Sequence, residues 1–332
     1  MKGILDTTAK KTYTAAERAN RATLLDRLGF LYRSSEQYAP AVDVYRQIAE
    51  LDPDSASRAS AEIVETYRLA KDFAKAEVES EGAIKKYPTD RVVRAVHASL
   101  LADLGKTDQA LAETRKLMDG KNDRETYVSL AQIYEKAKNF NEMAKALDAA
   151  EKLSTSSEDK EAIVFMRGAM YERQKNYTAA EEEFRKVLAM NPDSGSALNY
   201  LGYMLADRNI RLEEAREMIS KALAHEPNNG AYLDSLGWVL FRQNKLPEAE
   251  EKLRHALQFM SRDATVHDHL GDVYFHEGKI REAIAQWQSS LKEWQASAPS
   301  DLDHAEVAKV QKKLDDAKVR LARETGTAKQ PQ

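Results

Sequence analysis

Between residues 22 and 297 the apolar positions fall at spacings of three and four, break at short polar turns, and resume. The whole pattern recurs about every 34 residues, in eight units: 22–55, 57–90, 91–123, 124–157, 161–194, 195–229, 230–263 and 264–297. Each unit predicts two helices. The first carries an apolar residue, a Leu-Gly or equivalent pair, and an aromatic or Leu one turn later: Leu25, Leu28-Gly29 and Tyr32, then again Leu233, Leu236-Gly237 and Leu240. The second reads Tyr38, Ala41, Tyr45, Ile48 in the first unit and Tyr177, Ala180, Phe184, Val187 in the fifth. A glycine inside a helix costs about 1 kcal/mol relative to alanine, so Gly29, Gly168, Gly202, Gly237 and Gly271 at one repeat position imply close helix packing. Pro53, Pro88, Pro192 and Pro227 close four units, where a proline ends a helix.

These residues resemble the tetratricopeptide-repeat family over 22–297. The resemblance implies an all-α solenoid, in which antiparallel helix pairs stack into a right-handed superhelix and the first helices line a concave groove. Departures fall in the middle: Ile63-Val64 and His97-Ala98 replace Leu-Gly, and Met143 stands where Ala is usual, so these units should pack less regularly. Ala197–Leu205 (ALNYLGYML), Tyr232–Leu240 (YLDSLGWVL) and Val266–Val273 are more specific. They resemble the C-terminal repeats of bacterial tetratricopeptide proteins, including outer-membrane lipoprotein adaptors that dock substrates to processing proteases. The lipidated cysteine of such adaptors is absent.

Repeat arrays expose an apolar face at each end and need caps. Val307, Val310, Leu314, Ala317 and Leu321 predict a C-terminal capping helix over 301–324, with a dimerising coiled coil as the alternative. At the other end Thr14 and Glu17 have capping-box spacing. The expected organisation is an N-terminal helix, cap or remnant of a preceding repeat over 1–21; repeats one to four over 22–157; a short polar insert at 158–160, hinge or loop; repeats five to eight over 161–297; the capping helix; and a disordered polar tail over 325–332.

Composition removes most other functions. Of 332 residues, 50 are Lys or Arg and 54 Asp or Glu, a net charge of −4 that disfavours a general nucleic-acid binder. Without cysteine there is no disulfide, thiolate zinc site or thiol nucleophile, and both cytoplasm and periplasm remain compatible. A periplasmic or outer-membrane-associated location would follow if the chain were cut from a longer lipoprotein. No stretch approaches the roughly 18 apolar residues of a membrane helix. Phosphate-binding, zinc-protease and nucleophile-elbow motifs are missing, so the expectation is a non-enzyme without cofactor. Asp268, Asp272 and His276 share one helix face, where a metal, a partner or water could be met.

The repeat register selects the groove residues. In repeats one to four they are mixed and mostly small or polar, among them Asp26, Phe30, Arg33, Arg58 and Arg68. In repeats five to eight they include Phe165, Asn199, Tyr203, Asp207, Asp234, Trp238, Phe241, Arg242, Asp268, Asp272 and Phe275. Aromatic residues and Arg are the usual anchors of an interface. The expected function is therefore a scaffold or adaptor that binds a protein or peptide segment there. The four Asp residues favour a basic segment. Two readings compete with it: rings that fill the inner curve against each other, and a self-associating assembly protein using the array ends and the last helix. The chaperone-tail clamp needs inward Lys and Asn; Asp234/Trp238 and Asp268/Asp272 do not supply it.

Overall fold

The computed structural model describes residues 2–7, 9–10 and 12–327. Helix pairs follow the repeat register. Repeats one to four are α2 (Ala15–Ser34) with α3 (Tyr38–Leu51), α4 (Ala56–Leu69) with α5 (Phe73–Lys86), α6 (Arg91–Asp103) with α7 (Thr107–Arg115), and α8 (Asp123–Lys136) with α9 (Phe140–Leu153). A short helix, α1 (Lys2–Thr7), precedes them. Repeats five to eight are α10 (Ser157–Arg173) with α11 (Tyr177–Met190), α12 (Gly195–Asp207) with α13 (Leu212–His225), α14 (Gly230–Arg242) with α15 (Leu246–Ala256), and α16 (Ala264–His276) with α17 (Ile280–Gln295). A last helix, α18, spans His304–Thr327. No strand occurs among the described residues. The fold is an all-α solenoid.

Each repeat turns between its two helices through a left-handed residue: Glu36, Lys71, Gly105, Lys138, Lys175, Asn209, Asn244 and Gly278, with φ from 54° to 77°; repeat six adds a second, Arg211, at 49°. Only two of these are glycine, so seven non-glycine residues hold a conformation that L-side chains disfavour. Packing of the helix pair dictates the turn. The glycines noted above have the expected role. A Cβ at Gly29 would lie 2.7 Å from Tyr45 Cζ, and one at Gly271 2.5 Å from Trp287 Nε1, so the two helices of a repeat touch at a point that admits no methyl. The irregular third repeat shows as a short second helix, α7, of 9 residues against 14 for α9.

The residues group into two bodies, one running to Leu153 and including Ala298–Asp301, the other comprising Ser154–Ser297 with the residues from Leu302 onward. In the first, Leu25, Tyr45, Ile48 and Ile63 form a core that Leu5 of α1 joins. Its inward polar residues are mutually engaged: Arg68 pairs with Glu65 and with buried Asp103, and Arg58 with Asp26. In the second, the core runs from Phe184, Leu201, Ile219 and Val239 through Leu253, Val266 and Leu270. It closes on Ile280, Ala283 and Trp287, which α18 covers with Val310, Leu314 and Ala317.

Three expectations change at the edges. Residues 15–21 are not a separate cap but the first turns of α2, started by the Thr14–Glu17 capping box. The insert 158–160 is helical: Ser156 Oγ accepts the Asp159 N–H, and Glu158 and Asp159 lie in the first turn of α10, where the helix dipole favours acids. Residues 325–327, placed in a disordered tail, continue α18, and 328–332 lie outside the described residues. The last helix itself starts at His304, where Asp303 Oδ1 accepts the Ala305 and Glu306 N–H groups.

Candidate functional site

The first helices α14 and α16 bring most of the selected residues together, and α18 supplies residues that repeat arithmetic could not. On α14, Asp234, Trp238 and Phe241 or Arg242 follow one another at about one turn each. On α16, Asp268, Asp272 and Phe275 or His276 do the same. At their centre lies His269, buried, with Nδ1 2.9 Å from Asp234 Oδ1 and its ring stacked on Trp238 at 4.1 Å and 17°. Trp238 stacks in turn on Phe241 at 5.0 Å. It is only 8% exposed, and its Nε1 is buried without a hydrogen-bond partner.

Expected to be displayed, these rings are instead largely packed. Phe275 leans on Trp287 at 5.6 Å, Phe241 meets His276 edge-on at 4.9 Å, and Tyr203 is half-buried beside His269. Phe165 belongs elsewhere: it packs on Phe184 and Tyr200 between repeats five and six. Asn199 is buried, and Asp207 is exposed at the end of α12.

Three of the four acidic positions, all but Asp207, are also spoken for, which corrects the picture of a trough offering four free carboxylates. Lys313 of α18 places its ammonium 2.9 Å from both oxygens of Asp268 and 2.8 Å from Asp272 Oδ2. Arg320, one turn pair further along α18, lies over the Phe275 ring at 5.2 Å. Burial, and then the neighbouring Asp268, push the Asp272 carboxyl up, while Lys313 opposes them. Burial alone would lower Lys313, but Asp272 and Asp268 hold it above the ordinary lysine value. Burial would likewise lower His269, yet Asp234 carries it upward on balance. Burial, then Asp234, raise the Tyr203 phenol. His276 Nδ1 sits 2.8 Å from the Asp272 backbone oxygen, while the Asp268 and Asp272 carboxylates hold Lys313. No group of three acidic or His residues among the described ones is arranged for a metal.

What remains open is a cavity of about 600 Å³. Trp238, Phe241, Phe275 and Trp287 form apolar walls; Arg242, Asn209, Asn244, His276, Asp272, Lys313 and Asp316 complete it. This is the size and mixture of a pocket that takes a ligand or a side-chain cluster. Trp287, Lys313 and Asp316 escaped the sequence reading because they come from a second helix and from α18. The available signal was the excess of Lys and Arg on α18 opposite two Asp on α16.

No helix among the described residues is long and apolar enough to cross a membrane. Comparison with known proteins agrees with the fold. Tetratricopeptide-repeat family profiles match residues 22–55, 128–194, 165–217 and 205–265. The human protein O-mannosyl-transferase TMTC1 is 26% identical over 193 residues, which is 57% of this chain and 18% of that protein. Yeast Tom70 superposes with a TM-score of 0.66 at 17% identity, over 94% of this chain and 66% of Tom70. Cut9, in the APC/C hetero-tetramer Cut9-Hcn1, gives 0.56 at 16% identity, over 95% and 58%. The chain thus spans a fifth or less of its curated relative and under two thirds of these structures. At such identities the structures speak for the fold alone. The repeat register, the helix pairs and the matching profiles agree: the chain belongs to the tetratricopeptide-repeat family.

Proposed function

We propose that this chain is a non-catalytic scaffold that captures a segment of another protein on the first-helix face of repeats five to eight. Its anchor point is the cavity walled by Trp238, Phe241 and Phe275. The observation that carries the reading is that cavity: aromatic walls and a charged rim, held among four helices, in a repeat family built for protein contacts. A buried side chain entering it would gain contact area with two rings already fixed by stacking, so little side-chain entropy is lost on binding.

The test is affinity capture from the source cell with wild type and a Phe241→Ala/Phe275→Ala chain side by side. Both residues are half-buried, unlike Trp238, so the fold should survive their truncation. Loss of interface anchors of this kind costs about 1–3 kcal/mol each, so recovery of the partner should fall at least about tenfold. Equal recovery by a double variant with intact helical content refutes the placement.

A further inference from the structure

The charged groups that line the cavity are not all paired, and the unpaired cation among them points to an occupant. Lys313 is saturated by two carboxylates, and Asp234 is matched by His269. Arg242 is different. Its Nε reaches only Asn209 Oδ1, at 3.4 Å, and its guanidinium lies 5.7 Å from the Trp238 ring centre; no carboxylate pairs with it among the described residues. Beside it, the Trp238 indole N–H is buried with no acceptor. The Asn209 and Asn244 side chains reach the same rim, each held by a left-handed turn residue's backbone at the end of a first helix. The Arg242 guanidinium therefore lines an aromatic-walled cavity without a carboxylate partner among the described residues. A guanidinium–carboxylate hydrogen bond is roughly twice as strong as a neutral one, so a ligand that brings a carboxylate to Arg242 gains more than one that only fills space. Asp316, the remaining carboxylate at the rim, is exposed and solvated, so it weakly opposes an anion.

We infer that the pocket takes a peptide segment in which an apolar or aromatic side chain lies next to a carboxylate: the side chain enters between Trp238, Phe241 and Phe275, and the carboxylate meets Arg242. The inference rests on the pocket being a partner site and adds the partner's chemistry. Arg stacked on an aromatic keeps its edge N–H groups free for a bidentate carboxylate, which a lysine could not imitate. It also departs from the charge preference drawn from the sequence, because Asp234, Asp268 and Asp272 are already engaged by His269 and Lys313.

Phage-displayed random dodecapeptides selected against the full chain test this directly, with wild type, Arg242→Glu and Phe241→Ala as baits. Wild type should enrich peptides carrying Asp or Glu beside Trp, Phe, Leu or Met. A representative synthetic peptide should bind Arg242→Glu at least about tenfold more weakly, with affinity for wild type falling as salt rises. Arg242→Gln, which keeps the stem, should show the same direction if the Glu variant folds poorly. Enrichment that depends on Phe241 but favours basic or neutral peptides overturns the charge assignment while leaving the pocket as a partner site. Acidic peptides bound equally by both Arg242 variants overturn it as well. Selection with no dependence on Phe241 overturns the site and the inference together.

Discussion

Lys313→Glu should detach α18 from the second body. The native ammonium sits between Asp268 and Asp272, whose side chains are 16% and 13% exposed. A glutamate there puts three carboxylates in one half-buried place. Breaking a buried pair by removing one partner costs about 3–5 kcal/mol; with Lys313 itself 32% exposed, solvent screening brings this toward 3. Against that stand Val310 and Leu314, whose burial stabilises by roughly 1.5–3 kcal/mol each. Ordering the helix backbone opposes that gain at about 1–2 kcal/mol per residue, less what its own hydrogen bonds return. The docked helix is therefore a small difference between large terms, and the lost ion pair decides it. Hydrogen exchange should show protection disappearing over 304–324 and the Tm should drop, whereas Lys309→Glu, at an exposed position, should leave both nearly unchanged. Unaltered exchange in Lys313→Glu would mean that the apolar seam alone holds the helix.

His269→Ala should destabilise the second body by about 3–5 kcal/mol, because it leaves the buried Asp234 carboxylate without its partner and removes the ring that supports Trp238. The pH dependence separates this from simple cavity formation. The folded pKa of His269 is raised above the ordinary 6.5 by Asp234, with Asp268 and Asp272 adding to it against the effect of burial. Its pair therefore contributes fully below the unfolded value and is lost as pH rises through the folded one. As pH rises above about 6.5, wild-type Tm should decline more steeply than that of His269→Gln, which keeps a donor for Asp234 but does not titrate. Parallel declines in the two chains would show that His269 is not charged in the folded state.

The array was legible because its signal is repetitive. A position that recurs from unit to unit, such as the glycine that in five of the eight faces Tyr45, Phe184, Ile219, Leu253 or Trp287, is read from spacing alone and has one packing cause. The inward residues of α14 and α16 were legible for the same reason. Their state was not. Trp238 stands one repeat before His269, and stacking between neighbouring first helices buries it, a contact that single-helix periodicity does not encode. The seam of α18 was visible in its three-four spacing, but the partners of its charged side were not. Lys313 meets Asp272 across 41 residues and Asp268 across 45, and such pairings leave no periodic trace. The pocket, being made of four helices at once, existed only after folding.

Photo-cross-linking in the source cell addresses the central claim most directly. Chains carrying Phe241→benzoylphenylalanine, at the pocket, and Val78→benzoylphenylalanine, on α5 at a 71% exposed position, are irradiated side by side. A discrete protein adduct should form from position 241, weaken when Phe275→Ala is added, and be absent from position 78. Equal adducts from both positions, or none from 241, would contradict a partner site in the second body's aromatic pocket.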